Sequence, residues 1–234
     1  MKYILLNDLF SIISRWKYFI CWISVIIMYP IFLKIGVDLD FNTTNIIYNF
    51  YGNIGSLSKI NSIIEYGMLV FNLGFFSYLS IFLFTSNLEL GKENIFLRIS
   101  HKKWIICKIF SIILMIMVFV IIENILLLMV YKILGATISL NNFIIILFYN
   151  MISRLLFSFI CILIMLFSKK YFFVIAILIY LIGTLEIDNC IITSISQTLY
   201  SSEYHNIVPM MITITIIIIT YFTSERKIYE LFGR

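Results

Sequence analysis

Apolar residues in this chain do not alternate with polar ones; they run on. Six stretches, roughly residues 18–35, 66–86, 105–131, 143–167, 171–187 and 207–223, are almost continuously hydrophobic. Each is close to or above the roughly 20 residues that cross a hydrocarbon core of about 30 Å. Such runs predict helices, because an open strand in lipid leaves backbone N–H and C=O groups without partners, and barrel strands show short alternating segments instead. Only Ser168, Lys169 and Lys170 separate the fourth run from the fifth, which predicts a tight helical hairpin. The expected fold is therefore all-α: one polytopic transmembrane domain over residues 1–234 with six spans, no internal repeat and no separate soluble domain.

Composition points the same way. Of the 234 residues, 62% are hydrophobic and 12% charged, with a mean hydropathy of +1.05. A soluble domain carries about 45–50% apolar and about 25% charged residues, and one of this size could not hide the difference. The formal charge of +5 would suit nucleic acid, but the bases gather beside the apolar runs, and the positive-inside bias explains that placement better. With both termini in the cytoplasm, Lys2, Arg15, Lys17, Lys92, Arg98, Lys102, Lys103, Lys108, Lys169, Lys170, Arg226, Lys227 and Arg234 fall inside, whereas Lys59 and Lys132 fall outside and Lys34 lies at an outer helix end. Four scattered cysteines (21, 107, 161 and 190) and two distant histidines make neither a disulfide framework nor a metal site. The abundance of Ile, Asn and Lys suits an AT-rich bacterial genome and hence a bacterial plasma membrane.

At the N-terminus, apolar residues recur at 5, 6, 9, 10, 12, 13 and 16, with Asn7, Asp8, Ser11, Ser14 and Arg15 between them. That spacing predicts an amphipathic helix over residues 1–17 lying in the cytoplasmic interface. The blander reading is a frayed terminus.

The densest charge in the interior is NLELGKENIFLRISHKKWIICK, residues 87–108, with two acids, five bases and a histidine. Glu89 and Glu93 precede Arg98, Lys102 and Lys103, an order that suits a short helix with acids at its positive end. Ile95, Phe96 and Ile99 add an apolar patch of the kind that docks into a partner's groove. Trp104 is expected at the membrane interface. Periodicity alone equally fits a solvated loop whose bases only enforce topology.

The order Glu89–x–Gly91, Ile95–Phe96–Leu97–Arg98–x–Ser100, Lys103–Trp104 and Lys108 resembles the stretch after the second helix of ABC-2 type transporter permeases. In that family an acid and a glycine lead into a short coupling helix, followed by a Ser-Arg-like turn and a lysine at the start of the third helix. This chain has His101 and Lys102 where the family often has arginine, and it lacks the usual proline before the turn. About twenty residues carry the motif; the N-terminal helix, which is similar to the family's elbow helix, and the six spans extend the likeness as pattern. The resemblance implies a permease subunit whose contacts to a separate ATPase are Glu89, Gly91, Glu93, Ile95, Phe96, Arg98, Ile99, Ser100 and Lys103. It also implies a second permease chain, identical or related, and an amphipathic cargo such as an antimicrobial peptide, exported or resisted, or a lipid-like molecule. The chain has no GxxxxGK[ST] phosphate loop, so ATP and Mg would sit on the partner, and no cofactor is expected here.

Two charges fall inside apolar runs. Counting 1.5 Å per residue, Glu123 lies about 12 Å and Arg154 about 16 Å from the outer ends of the third and fourth spans. Intramembrane charges usually pair, so the carboxylate and the guanidinium are expected within hydrogen-bonding reach, either as a packing ion pair or as a lining of the pathway. Asn124, Asn150, Ser153 and Ser158 lie nearby in sequence. An intramembrane enzyme is disfavoured: both histidines lie outside the spans, and Glu123 has no second acid near it. The alternative from another class is a non-enzymatic membrane adaptor, sensor or small channel with no ATPase partner.

Overall fold

The computed structural model describes residues 2–37, 63–86, 100–134, 140–168, 171, 174, 175 and 207–232. Every regular element among them is an α-helix: α1 (Lys2–Ile13), α2 (Trp16–Val37), α3 (Ile63–Thr85), α4 (His101–Ile133), α5 (Leu140–Phe167) and α6 (Ile207–Phe232). These helices cover the apolar runs expected at 18–35, 66–86, 105–131, 143–167 and 207–223. The residues expected to couple to an ATPase, Glu89, Gly91, Glu93, Ile95, Phe96, Arg98 and Ile99, most of the run at 171–187, and the segments 38–62 and 186–206 lie outside the described residues.

By length and composition, α4 and the Asn150–Phe167 part of α5 are able to cross a membrane, and α1 and α2 add a third span if the bent pair counts as one. α4 has 33 residues, about 50 Å at 1.5 Å per residue. It is apolar on both its buried and its outward sides: Ile112, Ile116 and Val120 are enclosed, whereas Ile106, Phe110, Met117 and Ile121 are exposed. A helix hydrophobic all round belongs in a bilayer or a large core.

The chain turns by 68° between α1 and α2. The backbone tightens there: the Arg15 amide donates to the carbonyl of Ile12 and that of Tyr18 to Arg15, both three residues back, while the Ser14 hydroxyl donates to the carbonyl of Ser11. Such short-range bonds replace the regular ladder and end a helix. α2 then runs through Pro30 to Val37.

α4 is the hub, packing against each of the other five helices, while α5 also packs on α3 and α6. The core between α2, α3 and α4 is aromatic. Trp22 stacks on Phe75 with centroids 4.2 Å apart, Phe19 stacks on Phe119 at 4.9 Å, and the Trp22 ring meets Phe119 edge-on at 5.8 Å. Stacked and edge-on pairs of this kind contribute beyond the area they bury.

One end of the bundle collects the bases. Lys102 pairs with Glu225 at 3.0 Å, joining the start of α4 to the late part of α6. The Lys227 ammonium lies 4.2 Å from the Phe167 ring centroid at the end of α5. Arg15 lies 4.1 Å from the Phe82 ring and donates to the Tyr78 hydroxyl at 2.5 Å. The first turns of α4 therefore sit beside the last turns of α3 and α6, with the α1–α2 corner alongside.

Trp104, the aromatic expected at the membrane interface, packs against a neighbouring helix. Its side chain is wholly buried, edge-on to Phe84 at 6.0 Å. α4 begins at His101, so Trp104 falls on the same face as Lys108, one turn on, and that face meets α3. Trp104→Ala should lower stability by about 3–5 kcal/mol, the usual loss for a buried aromatic, read as a fall in the thermal unfolding midpoint of the detergent-solubilised chain.

Candidate functional site

Two polar clusters are enclosed in this apolar bundle, at different heights along α4. The lower one is built on Lys108, seven residues into α4. Its ammonium has three N–H donors, and three acceptors meet them: Asp8 Oδ1 at 2.6 Å, the Leu83 carbonyl at 2.7 Å and Ser86 Oγ at 3.1 Å. Asp8 is equally engaged. Its Oδ2 accepts from the Ser111 hydroxyl at 2.8 Å, and its Oδ1 also accepts from Ser86 Oγ at 3.2 Å. Both charged side chains have no exposed surface.

Local sequence explains how these groups meet. Lys108 and Ser111 are three apart, hence on one face of α4. The Leu83 carbonyl belongs to the last turn of α3, where helix carbonyls lose their partners and a cation is favoured. Asp8 and Ile12, four apart on α1, are buried; Leu6, Leu9, Phe10 and Ile13 are exposed. α1 thus turns its one acid inward while several of its large apolar side chains face outward, unlike a helix on a water-soluble protein.

The position of this clamp matters. Ser86 and Ser100 are the two ends of the charged 87–99 segment, and the clamp holds the former directly and the latter through the first turns of α4. Ser100 takes the N-cap position of α4, with extended dihedrals of φ −61° and ψ 142° and no side-chain cap bond; its carbonyl accepts from the Trp104 amide at 3.0 Å. Lys103 is exposed. Among the expected coupling residues, these two are described.

The upper cluster surrounds Glu123. The Trp22 indole N–H donates to Asn72 Oδ1 at 3.1 Å, and Asn72 Nδ2 donates to Glu123 Oε1 at 2.5 Å, a relay from α2 through α3 to α4. Asn150 of α5 donates to Asn124 Oδ1 at 3.3 Å, and Ser158 to the Phe76 carbonyl at 3.5 Å. Glu123 and Arg154 are both fully buried. The direct contact expected between them is not made: among the described residues the close ion pairs are Lys102–Glu225 and Lys108–Asp8. Asn72 takes the near carboxylate oxygen instead. Among the described residues, Glu123 Oε2 and all three guanidinium nitrogens of Arg154 have no hydrogen-bond partner, and the guanidinium carbon lies 5.6 Å from the Phe76 ring centroid.

Asp8, Ser86, Ser111, Asn72 and Trp22 are the residues that the sequence reading did not assign to either cluster. Asp8 could have been marked, as the sole acid before residue 38, opposite a lysine inside an apolar run; the rule that paired Glu123 with Arg154 applies equally there. Among the described residues no group of three or more His, Cys, Asp or Glu could hold a metal ion.

Removing one partner of a buried ion pair strands the other and costs about 3–5 kcal/mol, whereas replacing both with apolar residues of similar volume is often close to neutral. Asp8→Asn and Lys108→Met should therefore each lower the thermal midpoint sharply, and Asp8→Leu combined with Lys108→Met should recover most of the loss.

No family model matches this chain, and no curated protein and no solved structure is similar to it.

Proposed function

We propose that this chain is the membrane-spanning subunit of an ATP-driven exporter of the ABC-2 type: six spans in a bacterial plasma membrane, both termini cytoplasmic, a second permease chain beside it, and a separate ATPase that carries ATP and Mg. The cargo class that suits the resemblance is amphipathic, such as an antimicrobial peptide or a lipid-like molecule.

The observation that carries the reading is the Asp8–Lys108 clamp. A motor pressing on residues 89–103 does useful work on the bundle only if that segment is fastened at its roots. Here the end of α3 and the start of α4 share one fully bonded ammonium, and α1 is tied to the same point. A push on the segment then moves α1, α3 and α4 together, and α4 touches every other described helix. Rigid-body rocking of packed helices is the ordinary form of such a transition.

The acid-then-base order of Glu89, Glu93, Arg98, Lys102 and Lys103, with the apolar Ile95, Phe96 and Ile99, suits a helix held in the groove of a soluble protein. The double variant Phe96→Asp with Arg98→Glu should abolish co-purification with a candidate Walker-motif ATPase while leaving the chain's own thermal midpoint unchanged. Undiminished assembly would count against the motor and in favour of an adaptor, sensor or channel.

A further inference from the structure

Arg154 is the most exceptional side chain in the bundle. A guanidinium stays charged at any working pH and offers five N–H donors, yet among the described residues none of its nitrogens meets an acceptor and none of its surface is exposed. One oxygen of Glu123 is in the same condition. Among the described residues, this cluster holds one cation and one anion. Contact is what they lack.

Asn72 withholds it. Its amide takes Glu123 Oε1 at 2.5 Å and is itself held by Trp22, which draws the carboxylate of α4 toward α3. Arg154 sits on α5, resting on the Phe76 ring, with Asn150 and Ser158 one turn to either side. α4 packs against both α3 and α5, so the carboxylate has a rival partner on each neighbour. Only the amide partner is engaged in this conformation.

We propose that Glu123 is a two-position latch: bound to Asn72 of α3 in the conformation described here, and bound to Arg154 of α5 in a second packing of α4 against its neighbours. The exchange breaks one amide–carboxylate hydrogen bond and forms a bidentate guanidinium–carboxylate pair, the geometry that arginine favours. No proton is transferred and no net charge moves. The two packings share the Asp8–Lys108 clamp, whose donors and acceptors are all satisfied, and differ where they are not. The proposal does not depend on the exporter reading, since any movement of α4 between α3 and α5 would use the latch.

The test measures the contact itself, on the full chain in lipid nanodiscs. Solid-state NMR dipolar recoupling between arginine side-chain ¹⁵N and glutamate carboxyl ¹³C reports guanidinium–carboxylate proximity, and Glu123→Gln subtracts the signal of other pairs. Asn72→Ala removes the rival partner and should shift the population toward the Arg154 contact about tenfold, the size of one lost hydrogen bond to a charged group. Arg154→Lys in the Asn72→Ala background should abolish the gained signal. A contact signal that Asn72→Ala leaves unchanged, whether strong or absent, overturns the latch. If Asn72→Ala does not fold, Asn72→Ser, which keeps a short hydroxyl, should give a smaller shift in the same direction, and no shift there overturns it equally.

Discussion

An ammonium group taken out of water must find an acceptor for each of its N–H bonds and an anion near enough to balance its charge, because the desolvation penalty is several kcal/mol. Lys108 meets that demand with groups from three separate parts of the chain: a carboxylate from α1, a helix-end carbonyl and a hydroxyl from the end of α3, and its own helix contributing Ser111 to orient the carboxylate. Any looser arrangement would leave a buried donor unmet. The requirement therefore fixes where α1 lies, how α3 ends and how α4 begins, all at one point.

The second polar cluster obeys the same physics with a different result. Glu123 is 15 residues beyond Lys108 on α4, about 22 Å along the axis, and between the two lies the aromatic packing of Phe19, Trp22, Phe75 and Phe119. The lower cluster is closed, every charged group having its partners. The upper one is half closed, with its anion held by an amide and its cation resting on a ring. A satisfied buried network is rigid and specifies one packing, whereas a partly satisfied one is where alternative packings lie close in energy. α4 is thus pinned at its base and less constrained toward its middle.

Among the described residues, many large apolar side chains face outward. α1 presents Leu6, Leu9, Phe10 and Ile13 outward, and α4 presents a ridge of Ile, Phe and Met side chains. With apolar residues on both sides of the helices, hydrophobic contrast does little to choose which face turns inward. Polar side chains take over that role: Asp8 orients α1, Lys108 and Glu123 orient α4, and Asn150, Arg154 and Ser158 orient α5.

The all-helical class was legible along the chain, since an apolar run of this length in a polypeptide so poor in charge has few other ways to satisfy its backbone. So were the ranges of the helices near 18–35, 66–86, 105–131, 143–167 and 207–223, and the special standing of Glu123 and Arg154 as charges in apolar runs. What each charge touches was not legible. Lys108 read as one more base in a crowded inner end and Glu123 as the partner of Arg154, because counting residues along an axis yields height but not azimuth or lateral neighbours. The tertiary structure alone decided that Asp8 reaches Lys108 across a separation of 100 residues, and that Asn72 of α3 holds the Glu123 carboxylate. Hydrogen bonds are short and directional, so their partners are settled only once the helices have packed.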